Sequence, residues 1–208
     1  MLGYLLDYAN AITALGYIFA TLGLFLALNG EIELGLAAML WTWFLDHWDG
    51  HIARKTIDSR RSGMAEFGKS FDGFCDFIHG VVFPAIVLMI VAPATLLSLF
   101  ASAAIIVAGA IRLSYFETFG LTAGAQFVGA PISWNTPLLA LIVLFQPIFD
   151  NTFHIVIATA LIVMSLLHVT TAVRVPAIRG AAVPIATVLA VLVSIALAVS
   201  AYISVARD

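Results

Sequence analysis

Seven stretches of this chain, 11–28, 34–48, 71–91, 95–115, 132–149, 153–173 and 183–205, are apolar enough to sit in a bilayer. A helix needs about 20 such residues to cross the hydrocarbon core, and unpaired backbone groups in lipid cost too much for any irregular path. The expected fold is therefore an all-α integral membrane protein, a bundle of about seven transmembrane helices. Composition agrees: 62% of the 208 residues are hydrophobic and 10% charged, where soluble domains carry about a quarter charged. The second stretch turns polar at its end, and Trp134, Pro137 and Pro147 interrupt the fifth. No internal repeat or low-complexity linker divides the chain, so residues 1–208 are expected to form one transmembrane domain.

Charge gives the expected orientation, because Lys and Arg concentrate in short cytoplasmic loops. With the N-terminus inside, Arg54, Lys55, Arg60, Arg61 and Lys69 fall in the second connection. Arg112 lies near the cytoplasmic end of the fourth span and Arg174 and Arg179 in the sixth connection, leaving only Arg207 outside. The opposite connections carry Glu31, Glu33 and Asp150. The expected location is the cytoplasmic membrane, with the N-terminus and active site on the cytoplasmic side. The opening MLGYLLDYAN lacks a basic segment and a small-residue cleavage site, so the first span is expected to be retained. A net charge of -3 with no basic tail excludes electrostatic capture of nucleic acid and leaves membrane lipids and amphipathic metabolites as partners. Cys75, a single cysteine, can form neither an internal disulfide nor a thiolate metal site and is read as packing.

Against this apolar background, four aspartates stand out where two spans meet their connection. Asp46 and Asp49 are three apart, and Gly50 and Ala53 follow at offsets of four and seven from Asp46, so all four share one helical stripe. Gly68, Asp72, Asp76 and Gly80 recur every four residues on the next helix. A short connection makes these helices neighbours, with their acidic stripes able to face each other. An ionised aspartate in the membrane costs roughly 2.5 to 3.5 kcal/mol, and four together repel. Asp46 and Asp49 also lie toward a helix C-terminus, where the dipole opposes them. Oxygen-only ligation suits Mg²⁺ or Mn²⁺, and two ions roughly 3.5 to 4 Å apart form a common clamp for phosphoryl transfer. Small residues on the same faces let a bulky phosphate ligand approach the backbone. A cation transporter also places aspartates in membranes, but it is expected to show inverted repeats and helices broken at the midplane, and neither is visible here.

The ordered set Asp46, Asp49, Gly50, Ala53, Arg54, Gly68, Asp72 and Asp76 resembles the signature of the CDP-alcohol phosphatidyltransferases, D-x-x-D-G-x-x-A-R followed by G-x-x-x-D-x-x-x-D. The thirteen residues 55–67 between its halves form a longer spacer than is commonest there. FIHGVVFPA (77–85) and IRLSYF (111–116) are similar to segments of the serine-using branch of that family, and FVGAPISWN (127–135) resembles both that branch and the choline-using one. The resemblance implies transfer of a phosphatidyl group from a CDP-linked lipid such as CDP-diacylglycerol to a small alcohol, with release of CMP. Serine is the favoured acceptor; choline, inositol phosphate and glycerol phosphate are the alternatives. It also implies a homodimer.

By the same resemblance, Asp46, Asp49, Asp72 and Asp76 hold the metals and Asp76 is the general base. Asp49, Gly50, Ala53, Arg54 and Gly68 contact the CDP-lipid donor, as do Asn10 and Thr13, which match a short polar motif entering the first span. A serine carboxylate wants a cation, and Arg112 or Arg174 can supply one. Choline would want aromatic faces, for which Trp41, Trp43, Trp48, Tyr115, Phe116 and Trp134 are available. His47, His51 and His79 flank the site as supporting or packing residues. His154 and His168 receive no role.

Overall fold

A computed structural model of the chain describes residues 1–92 and 95–206, so Arg207 lies outside the described residues. A short 3₁₀ turn, Leu2–Leu6, leads into α1 (Tyr8–Leu28), which is followed by α2 (Ile32–Lys55) and α3 (Met64–Phe77). A π-helical turn, Ile78–Val82, joins α3 to α4 (Phe83–Val91), and α5 spans Leu96–Phe119. Strand β1 (Gln126–Val128) precedes α6 (Asn135–Leu144), a single turn α7 (Gln146–Phe149) and α8 (Phe153–Val169). Strand β2 (Arg174–Pro176) and α9 (Ala182–Val205) complete the order. Counting α3–α4 and α7–α8 as continuous passes, the described residues form seven helical segments, and the chain is an all-α membrane protein. Five segments are long and apolar enough to cross a bilayer: Tyr8–Leu28, Met64–Val91, Leu96–Phe119, Gln146–Val169 and Ala182–Ser204.

Local chemistry sets several helix ends. The Asp7 carboxylate accepts from the Asn10 N–H at 3.2 Å and caps α1, and Thr95 caps α5 through the Ser98 N–H at 3.1 Å. Arg54 and Lys55 in the last turn of α2 oppose its negative dipole end. The helix continues to Lys55 where the sequence reading ends its apolar span at 48, because the aspartate stripe keeps helical phase to the end.

Small residues bring the first two helices together. A Cβ on Gly35 would sit 2.8 Å from the Gly23 carbonyl oxygen, so only glycine permits this crossing. The core continues through Leu36, Met39, Leu40, Phe83, Ile105 and Leu161, all nearly inaccessible. Apolar side chains such as Phe25, Phe100, Ile148, Leu166, Ile185 and Leu192 face outward, as a lipid-embedded bundle requires. Helix α9 docks on α2: Trp48 Nε1 donates to Thr187 Oγ1 at 2.9 Å and Ser194 Oγ to the Ala37 carbonyl at 3.3 Å.

Two features depart from the sequence reading. First, β1 and β2 pair antiparallel, with Phe127 opposite Val175, and tie the loop before α6 to the loop after α8. Second, the third pass is not a plain helix. Pro84 has no N–H to offer the preceding turn. The carbonyls of His79 and Gly80 are met by side chains from the first turn of α6, Thr136 Oγ1 to His79 at 2.7 Å and Asn135 Nδ2 to Gly80 at 2.7 Å. Gly80 permits the approach, since a Cβ there would lie 2.7 Å from the Ile132 carbonyl oxygen.

Candidate active site

The C-terminal turns of α2 and the second half of α3 open into one cavity of about 220 Å³, lined by Asp46, Asp49, Asp72 and Asp76. One carboxylate oxygen from each of Asp46, Asp49 and Asp72 lies within 4.8 Å of the others. Asp49 is buried at 5% exposure, and its Oδ2 accepts from Thr13 Oγ1 of α1 at 2.5 Å. His47 Nδ1 lies 3.2 Å from Asp46 Oδ2 and donates to the Trp43 carbonyl at 2.8 Å. Asp72 Oδ1 is buried and has no hydrogen-bond partner among the described residues. Asp76 stands outside the trio and accepts at Oδ1 from His79 Nε2, 3.0 Å away.

Among the described residues no lysine or arginine forms an ion pair with any of these four carboxylates. Buried charges without a balancing partner cost several kcal/mol each, so a cation between Asp46, Asp49 and Asp72 would offset their repulsion. Three converging carboxylate oxygens, one buried and unbonded, fit a hard divalent ion such as Mg²⁺ or Mn²⁺.

The opposite wall is basic and aromatic. Arg112 of α5 is 4% exposed, donates from Nε to the Ala130 carbonyl at 3.2 Å, and places its guanidinium 5.8 Å from the Phe116 ring centre and 5.4 Å from that of Phe127. Arg54 and Arg179 line the same cavity. A Cβ on Gly50 would lie 3.2 Å from an Arg54 guanidinium nitrogen, so glycine at 50 lets Arg54 fold back along its helix toward the acids.

A sequence profile of the CDP-alcohol phosphatidyltransferase family matches residues 6–166, well over half of the chain. The chain belongs to the CDP-alcohol phosphatidyltransferase family. It is also 26% identical over 150 residues to the CDP-diacylglycerol–serine O-phosphatidyltransferase of Helicobacter pylori, a match covering 71% of this chain and 60% of that protein. The four aspartates that the sequence reading singled out fall within residues 6–166 and line one cavity, while α9 lies beyond that match.

Other residues expected at a phosphatidyltransferase site are distributed less uniformly. Gly50 and Arg54 line the cavity, and Ala53 does not. Gly68 is buried beneath Asn10 and Arg60: a Cβ there would meet Asn10 Oδ1 at 2.3 Å and an Arg60 guanidinium nitrogen at 3.0 Å. Asn10 is itself 1% exposed, donating to the Tyr4 carbonyl at 3.0 Å and accepting from Arg60 at 2.9 Å. Arg60 forms a two-pronged pair with Asp7 at 2.9 and 3.0 Å. In this structure Asn10 and Gly68 therefore serve a clasp between the N-terminus and the long 55–67 connection. Thr13 reaches the site only through Asp49.

Arg174, grouped with Arg112 by the sequence reading, is exposed on β2 and does not line the cavity; Arg179, five residues on, does. The pairing of β1 with β2 decides which arginine turns inward, and strands of three residues leave no periodic signal. His168 was given no role, yet it is 2% exposed and donates from Nδ1 to the same Ala130 carbonyl as Arg112, at 3.0 Å. Its Nε2 accepts from Asn135 Nδ2 at 3.0 Å. A lone histidine in an apolar span carries no signal by itself; its meaning comes from the loop that folds against it.

Proposed function

We propose that this chain transfers a phosphatidyl group from CDP-diacylglycerol to L-serine and releases CMP. The observation that carries the reading is the juxtaposition of a carboxylate trio holding one unbonded buried oxygen with a wall of arginines across one small cavity. The family and the Helicobacter pylori relative, a CDP-diacylglycerol–serine O-phosphatidyltransferase, support it. A cavity of about 220 Å³ has room for a pyrophosphate and a small acceptor, and leaves the acyl chains in the lipid.

Asp46, Asp49 and Asp72 would hold the divalent metal, with Thr13 fixing the orientation of Asp49. When bound, the metal supplies neutralisation of the diphosphate and of the charge that develops on CMP as it leaves. Arg54 contacts the donor phosphates. Arg112 and Arg179 bind the serine carboxylate, because a guanidinium matches a carboxylate with paired N–H donors. Asp76 accepts the proton of the serine hydroxyl as that oxygen bonds to the phosphatidyl phosphorus. The bond from this phosphorus to the bridging oxygen breaks, and the bridging oxygen leaves with CMP.

Choline fits the cavity less well. It would need open aromatic faces, and of those lining the cavity Arg112 already lies against Phe116 and Phe127, which leaves Trp134. The positive-inside pattern puts this cavity at the inner leaflet of the cytoplasmic membrane, where serine and CMP are exchanged with the cytoplasm.

The test supplies purified protein with CDP-diacylglycerol, Mn²⁺ and one acceptor at a time: serine, choline, inositol phosphate or glycerol phosphate. Serine is expected to drive CMP release. Release driven by choline alone would overturn the acceptor assignment, and release with none of them would overturn the reaction.

A further inference from the structure

We propose that His168 is a positioning residue for acceptor recognition: through the Ala130 carbonyl it fixes which edge of Arg112 is offered to the serine carboxylate. The proposal rests on the reading above. Arg112 lines the cavity at 4% exposure and, among the described residues, forms no ion pair. A buried guanidinium without a counter-charge is costly, so this arginine is kept for an anion. A guanidinium grips a carboxylate either through Nε and one terminal nitrogen or through both terminal nitrogens. The Ala130 carbonyl, 3.2 Å away, already engages Nε, which leaves the second edge.

That carbonyl is held in turn. Gly129 is left-handed at φ 76°, and a Cβ there would lie 2.6 Å from the His168 carbonyl oxygen, so glycine lets the loop lie directly on the end of α8. The Gly129 and Ala130 N–H groups donate to the Val173 and Leu167 carbonyls at 2.8 and 2.9 Å. His168 completes the frame: Nδ1 donates to the Ala130 carbonyl at 3.0 Å, and Nε2 accepts from Asn135 Nδ2 at 3.0 Å. Asn135 is fully buried and is itself anchored on the Gly80 carbonyl at 2.7 Å. A buried ring with both nitrogens engaged cannot turn without stranding polar atoms.

One carbonyl oxygen, with two lone pairs, thus joins a histidine of α8 to an arginine of α5. Without the His168 donor the Ala130 peptide is free to tilt, and Arg112 loses the fixed acceptor that aims its remaining edge. No hydrogen bond of His168 reaches an aspartate. Its loss should therefore weaken the acceptor and spare the donor, whereas a packing defect would affect both.

The experiment compares wild type with His168→Leu, His168→Gln, His168→Asn, Arg112→Lys and the double variant His168→Leu/Arg112→Lys, each as the whole chain in detergent. Serine binding is read by saturation-transfer NMR without metal or donor. KM for serine and for CDP-diacylglycerol is read by CMP release with Mn²⁺. His168→Leu is expected to weaken serine binding and raise serine KM about 10-fold, the scale of one charge-assisted hydrogen bond, with KM for CDP-diacylglycerol unchanged within about 2-fold. Asn carries its N–H near the position of Nδ1 and Gln nearer that of Nε2, so His168→Asn should recover most of the loss and His168→Gln little. In the Arg112→Lys background, His168→Leu should cost serine nothing further, as when one residue acts through the other. Serine affinity within about 2-fold of wild type in His168→Leu, an equal rise in both KM values, or full additivity in the double variant overturns the proposal. Should His168→Leu fail to fold, equal serine binding and KM in the Gln and Asn variants overturn it instead. Wild type that neither binds nor uses serine sinks the functional reading itself; wild type that uses serine beside insensitive His168 variants sinks only the positioning role.

Discussion

Thr13 shows how much of the site depends on single atoms outside the aspartates. Its hydroxyl donates to Asp49 Oδ2 at 2.5 Å from a different helix, so α1 orients a carboxylate of α2. Thr13→Val keeps the shape and removes the donor; the Mn²⁺ concentration for half-maximal CMP release should rise about 10-fold, with little change in the thermal midpoint. The four aspartates were legible in the sequence because spacings of three and four define a helical face regardless of tertiary context. The inward arginine was not: Arg174 and Arg179 have the same charge in the same loop, and only the strand pairing distinguishes them. His79 was legible as a neighbour of the site, but its bond to Asp76 depends on a turn whose widening no local pattern announces.

At the level of elements, the junction of α3, the π-helical turn and α4 is the most constrained part of the molecule. Pro84 withholds a backbone donor, Thr136 and Asn135 meet the carbonyls of His79 and Gly80, and Gly80 admits the backbone of residue 132. Gly80→Ala would drive a methyl to 2.7 Å from the Ile132 carbonyl oxygen. Overpacking of this kind costs about 1–3 kcal/mol, read as a lower thermal midpoint in detergent, and kcat should fall with it because the same turn carries His79. Gly3→Ala, with nothing within 4 Å, serves as the neutral comparison. Hydropathy made the passes legible because apolar length is a property of the segment alone. The polar end of α2 hid its helix from that criterion, while the aspartate periodicity revealed it.

For the whole molecule, the bundle presents acids, arginines and the basic connections at one end, and the positive-inside expectation that this end is cytoplasmic can be tested by labelling. Cys75 is free and 3% exposed, so a membrane-impermeant maleimide has little native thiol to label. Arg61→Cys, at an exposed position between α2 and α3, should be labelled in inverted vesicles and not in intact cells, and Asn29→Cys the reverse. The opposite pattern would invert the topology. Helix α9, beyond the residues shared with the family, was the least informative segment in the sequence; its bonds to Trp48 and Ala37 make it a buttress for the helix that carries Asp46 and Asp49. The central claim is that the trio of carboxylates binds the divalent ion on which transfer depends. It is tested most directly by titrating purified wild type and Asp72→Asn with Mn²⁺, following bound ion by electron paramagnetic resonance and CMP release in the same samples. Saturable binding in wild type, with both binding and at least about 100-fold of the activity lost in Asp72→Asn, is the predicted result. Equal Mn²⁺ affinity in the two proteins, or wild-type transfer that persists in excess chelator, would contradict it.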